Sequence, residues 1–178
     1  MSRQTSICVM PYDPTWPDRA KRHAEHISEV LGPVLVRWMH IGSTSIPGIH
    51  AKPIIDLMPL VTSVEAVDDL RPAIEAAGYD WYGEFGLPGR RYINRDDTTT
   101  GQRLTNIHIY AADNPEVERH LAFRDYLRGH PAVAREYEAV KIACAEQNPT
   151  DIYGYMDCKD SICKRIEREA VECFRSGR

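Results

Sequence analysis

The chain has 178 residues, 43% of them hydrophobic and 27% charged, with 22 Lys and Arg against 26 Asp and Glu and a net charge of −4. That is enough chain for one domain, or for an α/β domain with a helical appendage, and enough apolar residue to close an ordinary core. The negative balance argues against a protein that coats extended nucleic acid or an anionic membrane, where a basic excess supplies affinity, but leaves room for a local basic pocket around one phosphorylated ligand. No apolar run approaches the roughly 18 residues of a membrane span. Met1–Ile7 lacks the basic-then-apolar pattern of a secretion signal. Five cysteines, Cys8, Cys144, Cys158, Cys163 and Cys173, are odd in number and show no paired CxxC spacing. They read as reduced thiols in a cytoplasmic protein, and Cys158 and Cys163 lack the second ligand pair that a structural metal site needs.

In chain order, a turn-rich start at Pro11–Pro14 leads into a helix from about Trp16, because Trp16, Ala20, Ala24, Ile27 and Leu31 recur at helical spacing. Gly32-Pro33 ends it. Val34–Ile41 is rich in β-branched and aromatic residues and predicts a strand, followed by the loop Gly42-Ser43-Thr44-Ser45-Ile46-Pro47-Gly48. Ile54–Val61 is an apolar run interrupted by one carboxylate, Asp56, and predicts a buried strand. Thr62-Ser63-Val64-Glu65 is a capping-box pattern that starts a helix running to Ala77, with Gly78 as its stop. Strands follow around Tyr79–Tyr82 and Arg91–Asn94, then a polar loop over 96–103 and an alternating strand, Leu104–Tyr110. Helices are expected near 115–128, 132–147 and 152–175, separated by Gly129-His130-Pro131 and Asn148-Pro149. The order describes an α+β domain: a mixed sheet flanked by helices over about 1–112, and a helical part over about 113–178.

Asp56 is the most informative residue. An ionised carboxylate inside Ile54-Ile55-Asp56-Leu57-Met58 needs a metal, a cation or strong donors, since an unpaired buried charge is costly. Lys52 or backbone donors could supply that partner in a purely structural role. Gly42-Ser43 ends the preceding strand, where glycine permits close approach of the backbone and successive N–H groups favour anions. Asp56 stands thirteen positions after Ser43, on the next strand. Strand, Gly-Ser turn, then an aspartate on the next strand is the order used by nucleotidyltransferases.

The stretch His40-Ile41-Gly42-Ser43-Thr44-Ser45-Ile46-Pro47-Gly48-Ile49-His50-Ala51-Lys52-Pro53-Ile54-Ile55-Asp56 closely resembles the signature of the GrpB family. Tyr12-Asp13-Pro14-Thr15-Trp16, Asn106-Ile107-His108-Ile109, Phe123–Arg128, Tyr137 with Lys141, and Tyr153 with Lys159 extend the resemblance over nearly the whole chain. It implies a nucleotidyltransferase-like fold and an enzyme that moves a nucleotidyl group from ATP or another NTP to a small-molecule acceptor, with a divalent ion, Mg²⁺ or Mn²⁺. In that reading Gly42, Ser43 and Thr44 bind phosphate, Asp56 and His108 are catalytic and hold the metal, and Lys52, Arg91, Asn106, Arg124, Lys141 and Lys159 contact nucleotide or acceptor.

The sequence departs from the superfamily pattern at two places. The position two after Asp56, usually a second acid, is Met58, and the place of a third carboxylate carries His108. One Asp with one His is a poor oxygen cage for Mg²⁺ and suits Mn²⁺ or Zn²⁺ better. Two other functions therefore stand beside the first: nucleotide-driven activation of a carboxylic acid for condensation with an amine, and a non-catalytic nucleotide- or ligand-binding module. Four arginines follow the Gly86–Gly89 turn, at 90, 91, 95 and 103, and Arg91 is the one expected to meet phosphate because of its strand position. The sequence leaves the acceptor, the base and the oligomeric state open.

Overall fold

The computed structural model describes residues 6–177, so most of the Met1–Ile7 stretch read for a signal lies outside the described residues. Helix α1, Trp16–Leu31, buries Trp16, Ala20, Ala24, Ile27 and Leu31, the five residues that recur at helical spacing. Strand β1, Leu35–Ile41, and strand β2, Ile55–Val61, pair antiparallel through the turn that begins at Gly42.

The single helix expected from Val64 to Ala77 is two short ones, α2 (Val64–Asp68) and α3 (Arg71–Ala76). Pro72 is the reason: it has no N–H to bond back to Asp68, and its ring would clash with that carbonyl, so the chain breaks and restarts with proline in the first turn. The N-cap also falls one residue later than the capping-box reading, on Ser63, whose hydroxyl oxygen accepts from the Ala66 N–H.

Strands β3 (Asp80–Trp81), β4 (Arg90–Asp96) and β5 (Arg103–Ala111) complete a five-stranded sheet in the order β1-β2-β5-β4-β3. Its one parallel pairing joins β2 to β5 at the centre, and the remaining pairs are antiparallel. The fold is thus a mixed α+β sheet with helices, as expected.

Strand alternation divides the sheet's two faces. Ile55, Leu57, Ile93, Ile107 and Ile109 pack with α1, α2 and α3 in the main core. On the other face Met58, Leu60 and Tyr110 meet Val117 and Leu121 of helix α4, Pro115–Gly129. Helices α5 (Pro131–Gln147) and α6 (Ile152–Ser176) follow. The Ile46–Ile49 part of the turn packs into their own cluster with Leu127, Tyr137, Ile162 and Ile166. Asp56 precedes Met58 on that face, and Asn106 and His108 precede Tyr110; the His108 ring lies 5.7 Å from that of His120 on α4.

The cysteine reading requires correction. Cys144 on α5 and Cys158 on α6 form a disulfide, leaving Cys8, Cys163 and Cys173 as free thiols. Their separation of 14 hides the pairing, because the turn between the helices folds α6 back and brings the two Cα atoms to 5.7 Å. Cys158 therefore offers no thiolate to a metal. Among the described residues, no helix is long and apolar enough to cross a membrane.

Strand β2 gives a direct test. Leu57 is fully buried between α1 and β5 residues. Leu57→Ala is expected to lower stability by about 2–5 kcal/mol, the usual cost of a leucine-sized cavity. Urea unfolding should show the midpoint fall with an unchanged m-value.

Candidate active site

The site is assembled at the start of β2. Ile41, the last residue of β1, pairs with Asp56. The chain then turns at Gly42, whose φ is +70°. A Cβ at this position would run into the Asp56 carboxylate and come within 2.9 Å of its Cβ. Glycine is required here twice, for the left-handed backbone and for the missing methyl.

Inside the turn, the Ser45 N–H and hydroxyl donate to the Gly42 carbonyl at 3.1 and 2.6 Å, and the Ile46 N–H donates to Ser43 O at 3.1 Å. Arg128 forks onto the Ser45 carbonyl at 2.9 and 2.7 Å, and Arg124 Nη1 donates to the His40 carbonyl at 3.1 Å. His40 Nε2 lies 3.0 Å from Thr44 Oγ1. Burial pushes the His40 imidazole down to about 4, against the pull of Asp56, so it braces the turn as a neutral ring.

A cavity of about 840 Å³ opens between this turn, the sheet and α5–α6. Gly42, Ser43, Thr44, Lys52, Asp56, Asn106, His108, Lys141 and Lys159 all line it. Ser43 Oγ sits 3.4 Å from the Tyr137 hydroxyl. Asn106, paired with Asp56 across the parallel ladder, donates Nδ2 to Asp56 Oδ1 at 3.0 Å. Its own oxygen accepts from Tyr92 OH at 2.8 Å and Arg103 Nη1 at 3.1 Å. That fixes the orientation of its amide.

His108 Nε2 faces the same Asp56 oxygen at 3.9 Å, beyond hydrogen-bond length, and Arg90 Nη1 lies 3.4 Å from His108 Nδ1. Arginine can only donate, so a neutral His108 accepts at Nδ1 and carries its proton on Nε2, toward Asp56. Burial raises the Asp56 carboxyl, but His108, Asn106 and Lys52 outweigh it and hold the group below its usual range. It is ionised at neutral pH.

The other lysines approach from the helices. Lys141 is buried, donates to the His50 carbonyl at 2.6 Å and lies 4.5 Å from the Tyr137 ring centre. Burial, with Lys159 nearby, pushes its ammonium down to about 7. Lys52 and Lys159 lie 5.2 and 5.6 Å from the Tyr155 ring centre. Burial also lowers Lys52, against the pull of Asp56.

Two expected residues are elsewhere. Arg91 points to the opposite face of the sheet, where it forks onto Asp68 of α2. Ile93 of the same parity packs into the main core, so Arg91 follows it away from the cavity. Arg90 and Tyr92, opposite Tyr110 and His108 in the β4–β5 register, are the strand residues that line the site. The alternation on either side of Ile93 would have selected Arg90. Arg124 does not line the cavity; it pairs with Asp125 and holds the turn through His40. Arg103, like Arg90 one of the four arginines considered as anion ligands, lines it as well, as do Tyr137 and Tyr155, for which the sequence suggested no role in the site.

Among the cavity's lining residues Asp56 is the one acid, facing Lys52, Lys141, Lys159, Arg90 and Arg103. Among the described residues only Arg103 of these five has a carboxylate within ion-pair distance, that of Asp96. The described residues bring no three His, Cys, Asp or Glu side chains together as a metal cage.

A Gly-Ser turn beside a strand aspartate on a mixed sheet places the chain with nucleotidyltransferase-like folds. Terminal uridylyl transferase 4 from Trypanosoma brucei, solved with bound dUTP, superposes with a TM-score of 0.55 at 10% identity, over 85% of this chain and 53% of that one, a likeness of fold alone. The GrpB protein family profile matches residues 6–169, and the chain belongs to that family. The crystal structure of the conserved protein GrpB from Enterococcus faecalis is similar at a TM-score of 0.88 and 41% identity, covering 94% of this chain and 99% of that one. UPF0157 protein YqkA of Bacillus subtilis is 41% identical over 170 residues, 96% of this chain, and this chain spans only 48% of it.

Two measurements test the site's geometry. Gly42→Ala is expected to cost about 1–3 kcal/mol from backbone strain alone, with the Asp56 collision added to it, and thermal unfolding checks this. The second is pH dependence. His23 and His40 are both pushed down to about 4, by burial first, from an ordinary 6.5. Between those values the unfolded chain binds protons that the native state refuses, so stability is full above pH 6.5 and falls as pH drops toward 4. Urea midpoints taken from pH 7 to pH 4.5 should decline, and His40→Gln should flatten part of that decline.

Proposed function

We propose that this cavity binds a nucleoside triphosphate and transfers its nucleotidyl group to a small-molecule acceptor. One observation carries the reading: three lysines, Lys52, Lys141 and Lys159, which have no carboxylate within ion-pair distance among the described residues, share a cavity with the Gly42-Ser43 turn and Asp56. Such a cluster is electrostatically incomplete without an anion of several charges, and a triphosphate supplies them. Ser43, with the turn's backbone, and Lys52, Lys141 and Lys159 hold the phosphates. The acceptor's nucleophilic atom forms a bond to the α-phosphorus, the bond to pyrophosphate breaks, and the charge that develops falls among these cations.

The residues suit a divalent ion that arrives with the nucleotide rather than a resident one. Mg²⁺ is commonly held by one or two carboxylates with substrate phosphates completing its shell, and Asp56 is the carboxylate available. Such an ion, Mg²⁺ or Mn²⁺, would neutralise phosphate charge. His108 can join it as a ligand only by giving up its Nε2 proton or its Arg90 contact. In this reading His108 acts on Asp56, helping to keep it ionised, while Asn106 orients it.

Met58 gives the non-catalytic module its support: it is fully buried where a second acid would stand. Label transfer separates the two. With [α-³²P]ATP and Mn²⁺, the transferase reading expects labelled acceptor and released pyrophosphate from a pool of small metabolites; a module binds without turnover. For binding, Asp56→Asn should weaken Mn-ATP at least tenfold while leaving the unliganded melting temperature within a few degrees. Lys141→Met should weaken ATP with or without metal. Equilibrium dialysis and thermal shift read both, and unchanged ATP affinity in both variants would overturn the reading.

A further inference from the structure

The cations of the cavity form two groups. Lys52, Lys141 and Lys159 stand on the helical side around Tyr137 and Tyr155. Arg90 and Arg103 stand on the sheet side around Tyr92 and Asn106. One triphosphate at the Gly-Ser turn accounts for the first group. In the second, Arg103 pairs with Asp96, and Arg90 is left with its charge unmet.

Arg90 is the pointed case. Its residue is only 7% exposed, and among the described residues no carboxylate lies within ion-pair distance of it. Its Nε donates to the Glu84 carbonyl at 3.2 Å, Nη2 to the Phe85 carbonyl at 2.7 Å, and Nη1 reaches His108 at 3.4 Å. These engage three of a guanidinium's five N–H groups. A buried guanidinium bonded only to neutral acceptors is an incomplete ion pair, and the missing partner has the shape of a carboxylate or phosphate.

The same contacts hold a lip over the site. The β3–β4 loop carries Phe85 with φ +45°, a rare conformation for a bulky residue; the residue is 61% exposed and its ring stacks on Tyr92 at 5.1 Å. Across the mouth, Ile152 and Met156 of α6 are 40% and 52% exposed. All four residues line the cavity. An apolar mouth above a buried arginine selects for a molecule with an acidic end and a flat or apolar body.

We infer that the sheet-side half of the cavity is a second subsite, and that the acceptor it takes is a small organic acid, a carboxylate or phosphate monoester, whose flat or apolar body lies against Phe85 and whose anionic group pairs with Arg90. The inference rests on the transferase reading only for the word acceptor; the anion subsite stands on its own geometry.

Phenyl phosphate and benzoate probe the subsite, with benzyl alcohol as the neutral control, each titrated by ligand-observed NMR against the full chain without nucleotide and with saturating Mg²⁺ and a non-hydrolysable ATP analogue. The inference expects phenyl phosphate, benzoate or both to bind nucleotide-loaded protein at least tenfold more tightly than benzyl alcohol. Whichever of the two binds identifies the acid. Arg90→Met should weaken that anion at least tenfold and the ATP analogue less than threefold, and Lys141→Met should do the reverse. Because Arg90 also anchors the lip, Arg90→Lys is made alongside: it keeps the charge and should retain most of the anion's affinity, and Phe85→Ala should weaken the aromatic anions with the charge intact. If the analogue binds but neither anion binds the loaded protein, the second subsite is overturned and the nucleotide reading stands. If neither nucleotide nor analogue binds but Arg90-dependent anion binding persists, the nucleotide reading fails and the subsite stands. Equal binding of benzyl alcohol overturns the subsite, as does equal loss of anion and nucleotide in both variants.

Discussion

The site depends on one close approach, that of the Gly42 backbone to the Asp56 side chain. Two antiparallel neighbours, β1 and β2, meet at Ile41 and Asp56, and the chain can leave β1 in the required direction only because position 42 has neither a Cβ nor a penalty for φ +70°. This brings the turn's backbone and the Ser43 hydroxyl to the cavity that Asp56 lines. Arg128 and Arg124 then bind the turn from α4 through carbonyls, so the helical part holds the turn's shape through main-chain acceptors.

Charge explains why the remaining residues gather here. A single carboxylate, oriented by Asn106 and kept ionised with the help of His108 and Lys52, faces five cations. Proteins seldom bury cations without partners, since the desolvation is not recovered unless a counter-ion comes. Burial first, and then its lysine neighbour Lys159, push the Lys141 ammonium down to about 7. Met58 belongs to the same arrangement. Where a second acid would offset the cations and draw metal, a buried thioether packs under α4.

Much of this was legible in the chain. The spacing of Trp16, Ala20, Ala24, Ile27 and Leu31, the β-branched runs, the lone carboxylate in an apolar strand and the Gly-Ser turn each express a local rule. The elements they predict agree with the structure to within a residue or two. The helix split at Pro72 was also readable, since proline's missing N–H acts within one turn. Arg91 was misjudged because strand parity is a two-valued choice. The alternation about the apolar Ile93, which packs in the main core, is the one local signal for the face, and it favours Arg90.

The sequence by itself determined the elements, the family and the residue types at the turn, because those follow from interactions within a few residues of each other. Tertiary structure decided which of the charged residues meet. Lys52, Lys141 and Lys159 are distant in the chain, and only the return of α5 and α6 over the turn brings them to one cavity with Asp56. It also decided that Cys144 and Cys158 are bonded, for the same reason: the bend between α5 and α6 sets the distance, and spacing along the chain does not encode it. Parity, helix return and disulfide pairing are all settled by long-range packing, which local propensity does not reach.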